Sequence, residues 1–146
     1  MPLPKEDKIY TYADYIEWPE NERIELINGR VYLMTSPSRI HQKTLGKIFY
    51  QFANYLKDKS CEVYMAPFDV RFPDENEEDE DKLHKFNLYE KHGVKEYWIV
   101  EPENKILNVF ILQENKRYGR PEIYTQDDKV KVSIFEDLMS DLKDIF

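Results

Sequence analysis

Residues 68–101 read FDVRFPDENEEDEDKLHKFNLYEKHGVKEYWIVE, and the chain changes character twice within them. A strand-like run closes on the acidic block Asp74, Glu75, Asn76, Glu77, Glu78, Asp79, Glu80 and Asp81. A helix-like pattern then starts inside that block, with no apolar segment in between. This helix, expected over residues 82–92, stops at Gly93, a residue that readily takes the left-handed conformation closing a helix. After it, VKEYWIV is apolar on both faces, as a strand in the middle of a covered sheet would be. Before the block, residues 61–72 are rich in Val, Tyr and Phe and read as extended. Strand, helix, strand over 61–101 makes a βαβ unit, with 61–72 and 94–100 expected to pair in parallel through a right-handed crossover. The expected class is therefore α/β or α+β, a mixed sheet flanked by helices.

Upstream, residues 11–18 read as a short helix: Thr11 can cap it, Asp14 three residues later can answer the cap, and Pro19 stops it. Two arms, RIELI and RVYLM, then flank Asn28-Gly29, the pair that best accepts the positive φ angles of a two-residue hairpin turn. That turn sets the register, pairing Leu26 with Val31, Glu25 with Tyr32 and Ile24 with Leu33. Ile24, Leu26, Val31 and Leu33 then share the face expected to be core, and Glu25 lies on the other. Ser-Pro-Ser at 36–38 opens a long helix to about Lys57, with Leu45, Ile48, Phe49, Phe52 and Leu56 at helical spacing. Downstream, KILNVFIL reads as a strand after a Pro-Glu-Asn turn, and VKVSIF alternates as a half-exposed strand does. Residues 136–146 read as a closing helix with Leu138, Leu142 and Ile145 on one side.

A chain of 146 residues fits one domain with a single core. With 41% hydrophobic residues, 14% aromatic residues and eleven Tyr it has the composition of a folded chain. The net charge of −8 comes almost entirely from the acidic block. No basic stripe stands out in the remainder, so charge argues neither for nucleic acid nor against it. A single cysteine, Cys61, excludes an internal disulfide framework and a Cys-based zinc site. The N-terminal residues lack an apolar signal core and no run is long enough to cross a bilayer, so a cytoplasmic protein is expected.

The phrases YTYADYIEWPENERIELINGRVYLM, SPSRIHQ, FDVRF, the helical triplet Asp81, Lys85 and Tyr89, HGVKEYWIVEPENK and DLMSDLKDIF follow one another in fixed order. Together, from Tyr10 to Phe146, they resemble the Uma family of restriction endonucleases in the PD-(D/E)XK nuclease superfamily. The resemblance implies a restriction-endonuclease-like fold, DNA as the partner and phosphodiester hydrolysis with Mg²⁺ held between carboxylates on adjacent strands. It also implies that the strand equivalent to FDVRF should lead to a second strand ending in Gln-Pro-Asp. A third strand, carrying Glu in a Glu-Ile-Leu-Ser-Pro-Ser type phrase, should come before the helix. Neither phrase is present, so the domain is expected to be internally shortened near 73–82 and its cleavage chemistry impaired.

By the same resemblance, Glu25, His41 and Lys85 are the surviving members of the catalytic site, with Glu25 and His41 as candidate metal ligands. Each also has a plainer reading. Glu25 is placed where an exposed strand residue sits. His41 falls in the first turn of the long helix, whose positive dipole end favours a neutral ring, and it also reads as a surface histidine. Asp81 and Lys85 have the spacing of a surface ion pair on a helix. Asp69, between Phe68 and Val70, could offer a substitute carboxylate or a structural hydrogen bond. The acidic block lacks the glycine and alternating ligands of a calcium loop and reads as solvated. Two classes of function remain: a metal-dependent endonuclease, or a non-catalytic remnant, either inert or acting by protein contact. Loss of central strands would expose a sheet edge, so a homodimer or an aggregation-prone monomer is expected.

Overall fold

The computed structural model describes residues 8–19, 24–27, 29–33, 36–66, 68 and 85–146. The chain divides into two compact units, one drawn from Met1–Ser36 and Arg71–His92, the other from Pro37–Val70 and Gly93–Phe146.

In the first unit, helix α1 (Tyr12–Tyr15) begins at Thr11 with the reciprocal cap its sequence promised. The Asp14 N–H donates to Thr11 Oγ1 at 3.2 Å, and the Thr11 N–H donates to Asp14 Oδ2 at 2.9 Å. The helix is shorter than the expected 11–18, because the chain continues through turns from Ile16 to Trp18. Strands β1 (Ile24–Ile27) and β2 (Arg30–Leu33) pair antiparallel, with Ile24 opposite Leu33, Glu25 opposite Tyr32 and Leu26 opposite Val31. This is the register the Asn-Gly turn dictates. Gly29 has a φ of 76°, and a Cβ there would come within 2.5 Å of Ile9 Cγ2, so both backbone and space require glycine. The Tyr10 N–H donates to the Gly29 carbonyl at 2.7 Å, and an edge-to-face Tyr10–Trp18 contact ties the same segment to the end of α1. The apolar hairpin face is only partly a core face: Ile24 is buried, but Leu33 is 72% exposed. The unit is completed by α3 (Lys85–Lys91), which turns in Leu88 and is followed by Gly93 at a φ of 75°. Residues 82–84 of the expected helix lie outside the described residues.

The second unit is built on α2 (Arg39–Leu56), capped by the Ser38 hydroxyl as expected. Strands β3 (Glu96–Glu101), β4 (Ile106–Ile111) and β5 (Glu122–Thr125) form an antiparallel sheet in that order. Strands β6 (Lys129–Lys131) and β7 (Met139–Asp141) form a second, antiparallel pair. Leu107 and Val109 alternate inward along β4 and meet Val130, Leu142 and Ile145, with Ile48, Trp98, Val100, Tyr124 and Phe146 packed around them. The opposite face of the sheet carries the aromatic trio Tyr97, Phe110 and Tyr118, with ring centroids 6.2–6.4 Å apart. The Tyr118 hydroxyl donates to the Val94 carbonyl at 2.7 Å, which gives its buried polar tip a partner. Helix and hairpin are joined by a polar contact: Ser140 is fully buried and its hydroxyl donates to Gln51 Oε1 at 2.6 Å.

The class is mixed α and β, as expected, but several parts differ from their sequence reading. Residues 61–66 form no strand, because an extended segment becomes a strand only where a neighbour accepts its ladder bonds. Residues 67 and 69–72 lie outside the described residues. All described strand pairs are antiparallel, so the parallel βαβ pairing is not found among them. Strand β3 is apolar on both faces yet forms the edge of its described sheet, and on its second face Tyr97 stacks with Phe110 and Tyr118. The closing helix over 136–146 is replaced by β7 and a single 3-10 turn, Leu142–Asp144. An isolated helix of three turns is marginal, whereas pairing with β6 satisfies the same backbone groups. Leu138, Leu142 and Ile145 are buried nonetheless, so the apolar spacing identified core residues while misassigning their backbone. Strand β5 was not foreseen. Its short alternating run, Glu-Ile-Tyr-Thr, is its only local signal.

Candidate functional site

Glu25 is the second residue of β1, on the face opposite Ile24 and Leu26. Helix α3 starts at Lys85, and the Lys85 Nζ lies 2.7 Å from Glu25 Oε1. The side chains remain 42% exposed for Lys85 and 31% for Glu25. An ion pair this wet contributes only about 0.2–1 kcal/mol, so its interest is chemical more than energetic. Tyr89 follows Lys85 by four residues and so shares its side of α3, while Leu88 points into the unit. Sequence spacing had paired Lys85 with Asp81. The described structure gives Lys85 a carboxylate from the hairpin, and Asp81 lies outside the described residues. So does Asp69.

His41 belongs to the second unit. It is the third residue of α2, its backbone N–H donates to Ser38 Oγ at 3.2 Å, and its ring is exposed. Of the three candidates, Glu25 and Lys85 are thus in direct contact within one unit, and His41 sits at the start of the helix in the other. The partnership of Glu25 with Lys85 was not legible locally, because the two are far apart in the chain and neither shares a repeat with the other.

Mg²⁺ takes oxygen ligands in near-octahedral geometry and normally draws on one or two protein carboxylates. Among the described residues no three of His, Cys, Asp or Glu converge. The Lys85 ammonium sits on one oxygen, Oε1, of the Glu25 carboxylate. Among the described residues, Glu25 thus offers Mg²⁺ a carboxylate whose charge Lys85 already offsets.

Other polar groupings have structural roles. Glu96 accepts from the Trp98 Nε1–H at 3.0 Å, from the Ser133 N–H at 3.0 Å and from the Ser133 hydroxyl at 2.8 Å, tying β3 to the segment after β6. The Tyr55 hydroxyl donates to Asp137, and that bond, with some burial, holds the phenol above its ordinary range. The Asp14 carboxyl is held below the ordinary carboxylate range, first by the Thr11 backbone N–H and then by its hydroxyl. No helix among the described residues is long and apolar enough to cross a membrane.

The family model Uma2, described as "Putative restriction endonuclease", matches the chain in two stretches, residues 12–80 and 74–143. The stretches meet within the acidic block. No curated protein matches the chain.

Proposed function

The chain belongs to the Uma2 family, described as putative restriction endonucleases, and on that premise we propose that it is a DNA-binding member whose phosphodiester-cleaving centre is incomplete. The observation that carries this reading is the 2.7 Å contact between Glu25 and Lys85. The Lys85 ammonium on Oε1 offsets the charge that would draw a divalent cation to Glu25, and among the described residues no group of three or more possible metal ligands forms. The family match divides at residues 74–80, which supports a domain shortened at the point where the metal-binding strands would be expected. In this state Lys85 neutralises Glu25, and His41 remains a solvent-facing side chain at the head of α2.

Thermal unfolding with added Mg²⁺ tests the reading without any turnover. A site with a Kd of 0.1 mM would contribute about 2.7 kcal/mol at 10 mM metal and raise Tm by several degrees. The expected shift is under about 1 °C, since ligands too few to fix the ion bind it weakly. A rise of several degrees that disappears in Glu25→Ala would return the centre to the catalytic class.

A second reading, action by protein contact, is supported by β3. Among the described strands it pairs only with β4, and Ile99 on it is 38% exposed. An apolar strand in that position is a template for pairing with another copy. Light scattering after size exclusion is expected to give a dimer or a larger species. A sharp monomer peak with a high, cooperative melting transition would count against association.

A further inference from the structure

The chain carries a strong net negative charge, yet no acidic residue stands between Glu25 and Asp58. Helix α2 lies entirely within that interval and has only cations among its formally charged side chains. Along the sequence these cations look scattered, which is why no basic stripe was visible there. Wound at 3.6 residues per turn, Arg39, Lys43, Lys47, Tyr50, Asn54 and Lys57 fall within an arc of roughly 80° and run about 27 Å along the helix. Lys47 is half-buried and the other five are exposed, Tyr50 at 71%. The opposite side is the one that packs inward: Thr44 and Leu56 are buried, and Ile48 joins the core cluster. That arc of α2 therefore consists of phosphate-binding side chains, with the exposed Ile40 at its margin. Arg and Lys neutralise phosphates, and Tyr and Asn donate hydrogen bonds to phosphate oxygens. Among the described residues none of the four cations is committed to an ion pair.

We propose that the outward face of α2 is the surface along which the backbone of duplex DNA docks. The choice of DNA rests on the family reading above. The placement rests on the helix itself: a carboxylate-free stripe in an acidic protein is complementary to a polyanion. The contacts reach phosphates and not base edges, so binding is insensitive to base sequence and sensitive to salt.

The test is fluorescence anisotropy of a labelled 20-base-pair duplex in EDTA, titrated at several KCl concentrations. Neutralising four phosphates gives a slope of log K against log salt near −3.6. Lys43→Gln combined with Lys47→Gln should flatten that slope by about 2 and weaken binding at least about tenfold at 50 mM KCl. The control pair, Lys129→Gln with Lys131→Gln on exposed positions of β6, removes the same charge and should change affinity less than about twofold. Circular dichroism confirms that each variant folds, and Arg39→Gln with Lys57→Gln, at the ends of the stripe, should reproduce the loss. An unchanged slope in both stripe variants, equal losses in the control, or no duplex binding by the wild type would overturn the proposal. Cleavage by the wild type in Mg²⁺ would sink the incomplete-centre reading and leave this surface standing.

Discussion

Replacing residues 73–81 with the corresponding central segment of a longer Uma2 relative is expected to give Mg²⁺-dependent nicking of supercoiled plasmid where the native chain gives none above a Glu25→Ala, His41→Ala background. The gain should be at least about 10²-fold, because even a small misplacement of reacting groups costs on that order. By family resemblance, the graft returns two strand carboxylates next to Glu25. With them, the local charge at Glu25 becomes strongly negative, and Lys85 no longer compensates it alone. That balance favours a divalent cation and frees the Lys85 ammonium to face a phosphate. Glu25→Ala in the grafted chain should abolish the gain. Nicking by the native chain that disappears in the double mutant, and also in Asp69→Asn, would mean that the shortened domain cleaves without the segment.

Leu142→Ala should destabilise the second unit by about 3 kcal/mol, the cost of a buried leucine truncated where neighbours cannot close the gap. Leu142 is wholly inaccessible to solvent, and its cluster partners come from five different elements and from residues 145–146. Its backbone is equally committed: the Leu142 N–H donates to the Asp128 carbonyl at 3.1 Å, and its own carbonyl accepts from Ile145 and Phe146. Collapse into the void would therefore have to move a turn that is pinned at both ends. A fall in Tm of about 10 °C is expected by calorimetry or circular dichroism. Met139→Ala, three residues earlier and 52% exposed, should shift stability by less than about 0.5 kcal/mol. Equal effects at the two positions would contradict the assigned core.

What the sequence makes legible here is what local chemistry decides. The Asn28-Gly29 turn sets its hairpin register because only certain residues tolerate positive φ, and Thr11 with Asp14 announces a helix start by a hydrogen-bond exchange three residues long. The burial of Leu138, Leu142 and Ile145 is readable from apolar spacing. Their backbone is not, since spacings of three and four suit a helix as well as a strand followed by a turn. Pairing with β6 settled that choice. The same limit applies at β3, where two apolar faces signal cover but do not reveal the Tyr97–Phe110–Tyr118 packing found on one of them. At the candidate site, residue types pointed to Glu25 and Lys85 separately. Their contact depends on how a distant helix meets the hairpin, which no short window contains. The cationic side of α2 escaped a linear reading for a related reason, being a property of the helix and not of any run of residues.

The link between Gln51 and the strand that carries Ser140 and Asp141 joins positions 90 residues apart in the chain. It makes the second unit slow to assemble on the ribosome. At ordinary elongation rates roughly 5–20 s separate the emergence of these two partners. During that interval α2 can wind, but its inner side has no surface to meet. The nascent helix therefore displays Ile48, Phe52 and Leu56 to solvent, on the side away from its lysines, until Leu142 and Ile145 arrive. A nascent chain stalled before residue 137 is therefore expected to be a client for chaperones that shield apolar helices.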